Sequence, residues 1–161
     1  MLEHCLSLRH VPDNRGVSDT TFFVTARLNT ARPLLGDACA GQLILDTLNF
    51  YRQRGEVECY GFVVMPDHVH LMVKILAPLT LPRWVAKFKS YVARQLGKGP
   101  IWQRGYWSEV IPSVPFLEQK LRYIHENPVR AGVVNEAADY SFSSARDYHL
   151  QQKSERIDDY R

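Results

Sequence analysis

Two histidines separated by one residue, His68 and His70, stand in the run Met65-Pro-Asp-His-Val-His-Leu-Met-Val73. On a β-strand, residues two apart point to one face, so the imidazoles would sit side by side with Val69 and Leu71 in the opposite layer. Two neutral imidazoles held that way make half of a metal site. Further along, Tyr123 and Asn127 are four residues apart in Tyr-Ile-His-Glu-Asn-Pro. On a helix, that spacing puts a phenol and an amide oxygen on one face, one turn apart. Brought over the histidines, they complete a mixed nitrogen and oxygen site for a divalent ion. The chemistry that suits such a set is phosphodiester transesterification. A divalent ion polarises and holds the phosphate. A phenol, sluggish until positive charge favours its phenolate, attacks phosphorus. A phosphotyrosine conserves the bond energy, so rejoining needs no ATP.

The elements that must position these groups are legible in the spacing. Residues 21–28 are β-branched and aromatic and read as a strand. Residues 37–54 carry apolar side chains at helical intervals, and Gly55 is a stop. Residues 60–65 and 68–76 read as a hairpin turned at Pro66-Asp67, with the histidines opening its second arm. Residues 81–96 form an amphipathic helix with Leu81, Trp84, Val85, Phe88, Val92 and Leu96 on one stripe. A fourth strand is predicted over 101–111. A third helix is predicted over 116–126, limited by Pro128, with a short helical turn after it. The order β-α-β-β-α-β is the split βαβ plan: an α+β, ferredoxin-like antiparallel sheet with helices on one face and the other face free for a site, plus a C-terminal catalytic helix. Residues 1–20 read as irregular, 21–150 as the domain, and 151–161 as a charged, disordered tail.

Composition narrows the function classes. At 45% hydrophobic and 23% charged, the chain folds on its own core. Cys5, Cys39 and Cys59 stand far apart with no CxxC pair, so a zinc ribbon or redox motif is unsupported. No apolar run reaches bilayer length and no secretory h-region opens the chain, so a cytoplasmic protein without membrane contact is expected. The net charge of +3 is uneven: residues 81–132 hold nine Lys or Arg against three acids, a local +6 that leaves the rest at −3. A basic half suggests a polyanion on one side. Arg83, Lys87, Arg94 and Lys98 share a stripe of the second helix and form a candidate phosphate track. Arg104, Arg122 and Arg130 are further basic candidates, and Trp102, Tyr106 and Trp107 are candidates for base stacking.

"VVMPDHVHLMV" followed by "LRYIHENPVRAGVV" resembles the single-tyrosine HUH transposases, and within them the REP-associated tyrosine transposases of bacteria. "IWQRGYW" and "DYSFSSARDYH" are similar to further blocks of that family, so the likeness spans about residues 21–148. The resemblance implies His68 and His70 as metal ligands, Asn127 as the third protein ligand and Tyr123 as the nucleophile. It implies Mg²⁺ or Mn²⁺ as cofactor and single-stranded, hairpin-bearing DNA as substrate. It also implies a monomer or homodimer working at the nucleoid. Ser108-Glu109 departs from the family pattern, in which a His or Asp and then an Arg often follow "GYW". Two other classes compete. A histidine-triad hydrolase needs a third histidine where this chain has Met72. A non-catalytic single-strand binding module on the same fold would not need all four of His68, His70, Tyr123 and Asn127.

Overall fold

The computed structural model describes residues 19–29, 38–97, 99–150 and 155–160. The N-terminal segment 1–18, residues 30–37 and Lys98 lie outside the described residues. Four strands, β1 (Thr21–Arg27), β2 (Val57–Val64), β3 (His68–Ile75) and β4 (Trp107–Val110), make one antiparallel sheet in the order β2-β3-β1-β4. Helices α1 (Ala38–Gln53) and α2 (Leu81–Leu96) join β1 to β2 and β3 to β4, as the split βαβ plan requires. Helix α3 (Val114–Arg130) follows, then a 3₁₀ turn (Ala137–Asp139) and a short α4 (Ala145–His149).

The strict alternation of β3 divides the interior in two. Val69, Leu71, Val73 and Ile75 join Trp84, Val85, Phe88 and Val92 of α2 and Ile44 and Leu48 of α1. Each large apolar group buried there contributes ~1.5–3 kcal/mol. The α2 stripe enters this layer at helical intervals, and Gly97 closes the helix in the left-handed conformation at φ +59°.

The opposite face is not free, contrary to the sequence expectation. Helix α3 lies over it, and Leu117, Leu121 and Ile124 pack on Phe23, Val63 and Met72. Gly61 of β2 permits this approach: a Cβ there would stand 2.3 Å from Leu121 Cδ2. The register shift between Cys59 and Gly61 marks a bulge, which lets Tyr60 as well as Gly61 serve the α3 side.

Three further expectations are corrected. The fourth strand is four residues long, because Gly105 takes φ +78° and breaks the extended run; Trp102 makes only an isolated bridge with Leu28. Helix α3 runs through Pro128 to Arg130 and does not stop at Glu126. The proline costs one backbone hydrogen bond near the helix end, where few follow. The described part of the tail, residues 155–160, is docked rather than frayed. Arg52 grips Asp158 with Nε and Nη2, both at 2.8 Å, and the Cys59 amide donates to the same carboxylate. The late block Tyr140–Ser144 runs along β2 and covers its edge: Val64 N donates to Phe142 O, and Ser144 N to Phe62 O.

Candidate active site

Strand register assembles the site in rows on the α3 face. His68 is opposite Arg27; His70 is opposite Thr25, which is opposite Trp107; Met72 is opposite Phe23, which is opposite Glu109. Directly paired residues share a face, so the rows bring side chains together from three strands.

Each imidazole is held by its Nδ1. His68 Nδ1 lies 2.6 Å from Asp67 Oδ1, and His70 Nδ1 lies 2.8 Å from Thr25 Oγ1. The rings meet edge to face with centroids 4.5 Å apart. With Nδ1 engaged, Nε2 is the nitrogen each ring has to offer. His70 is buried and stacked on Phe23 at 5.1 Å. Burial, reinforced by the charges of His68, Arg27, Lys120 and Arg130, pushes its imidazole down to about 3. It is therefore neutral at physiological pH, the form that ligates a metal.

Tyr123 comes to this pair from α3. Its ring is 44% exposed, which leaves the phenol accessible, and it packs on His70 at 5.7 Å and Phe23 at 6.2 Å between centroids. The Arg130 guanidinium lies 4.6 Å from the same ring and donates to the Tyr123 carbonyl at 2.8 Å. Because α3 continues past Pro128, Asn127 is helical and shares the Tyr123 flank. Its terminal Nδ2 is buried without a hydrogen-bond partner. The two ends of an amide are nearly equivalent in shape, so that position equally accommodates the oxygen, which a cation would satisfy. Among the described residues no group of three or more His, Cys, Asp or Glu is placed for a metal. By donor type His68, His70 and Asn127 are two nitrogens and one neutral oxygen, a set that a hard divalent ion accepts.

Several sequence candidates stand elsewhere. Arg83, Lys87 and Arg94 lie on α2, across the sheet from the histidines. Lys87 is already paired with Glu56 at 2.5 Å. A phosphate track there could serve only DNA remote from the reacting bond, and Lys98, its fourth member, is outside the described residues. Tyr106 is buried in the α2 layer, and Trp102 packs there too, donating from Nε1 to Lys89 O. Neither presents a ring to bases at the site, because both fill the core that α2 closes. Arg104 is exposed on the loop into β4. Arg122 is exposed, but helical spacing turns it to the flank of Glu118 and His125, away from Tyr123. On that flank His125 is structural: its Nε2 meets the buried Ser144 Oγ at 2.8 Å, and burial drives its imidazole down to about 4. Among the described residues, Arg130 alone of the basic candidates touches the tyrosine.

Sequence reasoning gave no site role to Thr25, Arg27 and Phe23, whose place depends on strand register. Lys120, one of the nine basic residues of segment 81–132, lies three residues before Tyr123 and by helical spacing shares its flank.

A family model described as "Transposase IS200 like" matches residues 21–127. A REP-associated tyrosine transposase of Escherichia coli K12 is 28% identical over 132 residues, covering 77% of this chain and 75% of that protein. A Haemophilus influenzae relative is 29% identical over 136 residues, covering 70% of this chain and 74% of its own length. A solved REP-associated tyrosine transposase bound to a REP hairpin matches 89% of this chain and 91% of its own with a TM-score of 0.74. At 21% identity that likeness establishes the fold.

Proposed function

The chain belongs to the IS200-like transposase family, and from that membership we propose that it cleaves and rejoins single-stranded DNA through Tyr123. The observation that carries the reading is the meeting of Tyr123 with His70, 5.7 Å between ring centroids, from two elements brought together only by folding.

In the cleavage step the Tyr123 oxygen attacks phosphorus and the bond to the 3′-oxygen breaks. The downstream strand is left on tyrosine through its 5′-phosphate as a phosphodiester, and the phenol proton ends on the departing 3′-hydroxyl of the upstream strand, directly or through water. Rejoining is the reverse, with an incoming 3′-hydroxyl attacking phosphorus and the phenol leaving. Arg130 over the Tyr123 ring and Arg27 and Lys120 near His70 make the surroundings cationic, which draws in the phosphate and stabilises the negative charge that builds on it during attack. Thr25 and Asp67 hold the imidazoles by Nδ1 so that Nε2 is presented. His68, His70 and Asn127 would hold Mg²⁺ or Mn²⁺, which when bound supplies Lewis acidity and a fixed place for the phosphate.

The named relatives and the hairpin-bound fold neighbour support a hairpin flanked by single strand as substrate. No described helix is long and apolar enough to cross a membrane. The reading puts the protein in the bacterial cytoplasm, at the nucleoid. The test is a 3′-labelled hairpin strand incubated with protein and Mn²⁺. A denaturant-resistant adduct is expected with the parent, absent from Tyr123→Phe, which keeps the ring contacts and loses the nucleophilic oxygen. Strand binding without an adduct would leave a binding module, and cleavage by the Phe variant would assign attack to another group.

A further inference from the structure

Beside the catalytic pair, toward β4, four side chains converge, of which the reaction draws only on the positive charge of Lys120. Trp107 and Glu109 are alternate residues of β4, paired with Thr25 and Phe23, so both face the layer of His70. Phe116 and Lys120 lie one turn apart on α3, on the flank of Tyr123. The Lys120 ammonium sits 5.1 Å from the centre of the Phe23 ring, 5.2 Å from Phe116 and 5.8 Å from Trp107. It pairs with Glu109 at 2.6 Å.

This cluster is partly open to solvent, although the Glu109 Oε2 that meets Lys120 is itself buried. The side chain of Lys120 is 24% exposed and that of Glu109 35%. Trp107 is half-buried, with Phe23 meeting it edge-on at 75°. Phe23, whose ring Lys120 meets, is itself stacked on His70 at 5.1 Å, so the cluster adjoins the reacting centre. An aromatic ring beside an ammonium matches what one nucleotide of a single strand presents, a base with two π-faces and one negative phosphate. Glu109 is out of place on a polyanion's path unless it yields. In the free protein it holds Lys120 in position as a stand-in anion.

Resting on the functional reading above, we propose that Trp107 and Lys120 form a single-nucleotide subsite next to the scissile position. The base stacks on the indole, and the phosphate replaces the Glu109 carboxylate on Lys120. Trp107 and Lys120 are thus positioning residues for the strand, and Glu109 is a brake on its affinity.

The test is equilibrium binding of a short unstructured oligodeoxynucleotide to the full chain in the Tyr123→Phe background, with chelator present so that no reaction intervenes. Trp84 is fully buried and Trp102 packs in the α2 layer, so quenching of tryptophan fluorescence by the strand reports Trp107. Trp107→Ala should weaken binding about tenfold, while Trp107→Phe keeps a stacking ring and most affinity but loses the quenching. Lys120→Met should weaken binding and flatten the log–log salt slope by ~0.7, and Lys120→Arg should restore the slope. Glu109→Gln should tighten binding several-fold, an effect that a purely structural ion pair would not produce. Unchanged affinity, quenching and slope in these variants, with the Tyr123 parent still forming its adduct, would overturn the subsite and leave the catalytic reading standing. Absence of both strand binding and adduct in the parent would overturn both.

Discussion

Gly61→Ala tests whether the close seating of α3 on β2 sets the position of the nucleophile. A Cβ at residue 61 would lie 2.3 Å from Leu121 Cδ2, with Ile124 Cδ1 and Ser144 Oγ at 3.3 Å. Carbon atoms in contact sit ~3.5–4.0 Å apart, so the methyl needs more than ~1 Å of relief. Leu121 cannot easily swing clear, because Leu121, Ile124 and Ser144 are all buried around the same point. Helix α3 must therefore lift, carrying Tyr123 and Asn127 away from histidines that stay on β3. Overpacking of this kind costs ~1–3 kcal/mol, and a ~1 Å misplacement of a reacting group costs ~100-fold in rate. The assay is single-turnover adduct formation on a labelled hairpin strand, with a thermal melt on the same sample. The expected result is a folded protein with a slightly lower Tm and a rate down by about two orders of magnitude. Leu121→Val removes the clashing carbon, so the double variant should recover much of the rate. A single variant with parental rate and parental Tm would refute the claim that this contact positions Tyr123.

Thr25→Val keeps the side-chain shape and removes the hydroxyl that holds His70 Nδ1; Mn²⁺ affinity by calorimetry should fall ~10–100-fold with the fold intact. Asp158→Ala removes the carboxylate from Arg52, whose side chain is 10% exposed and keeps only its Nη1 bonds to Asn49 Oδ1 and Glu155 O, and should cost about 2–3 kcal/mol in denaturant unfolding at neutral pH. Burial alone would raise the Asp158 carboxyl, but Arg52 and the Cys59 amide hold it below its usual value of 3.8. Its folded pKa is depressed, so the stabilisation is complete above pH ~4 and is lost as pH falls through the folded value. The parent should therefore lose part of its advantage over the Ala variant in acid, as a pH series of melts would show. Arg83→Ala/Arg94→Ala alters only the face of α2 that lies across the sheet from the site; single-turnover cleavage of a short strand should stay within about twofold, because separated sites act independently.

The sequence by itself determined the elements and the candidate chemistry. Alternation carried His68 and His70 to one face of β3, because strand side chains alternate wherever the strand sits. Helical spacing joined Tyr123 to Asn127 and defined the buried stripe of α2 except at Leu96, which is only partly buried at the helix end, since both follow from local backbone geometry. Local reasoning misjudged the ends that depend on context. Pro128 reads as a stop, yet packing of Leu121, Ile124 and Pro128 carries α3 through it. The aromatic run after Ile101 reads as one strand, yet Gly105 turns it and sends Tyr106 into the core. Only the tertiary structure decided which face each element serves. Helical spacing groups Arg83, Lys87 and Arg94 but cannot say that α2 lies across the sheet from the histidines. Likewise, nothing local pairs Thr25 with His70, forty-five residues away. That pairing follows from strand register, which is fixed by burying one set of alternating side chains under α1 and α2 and the other under α3.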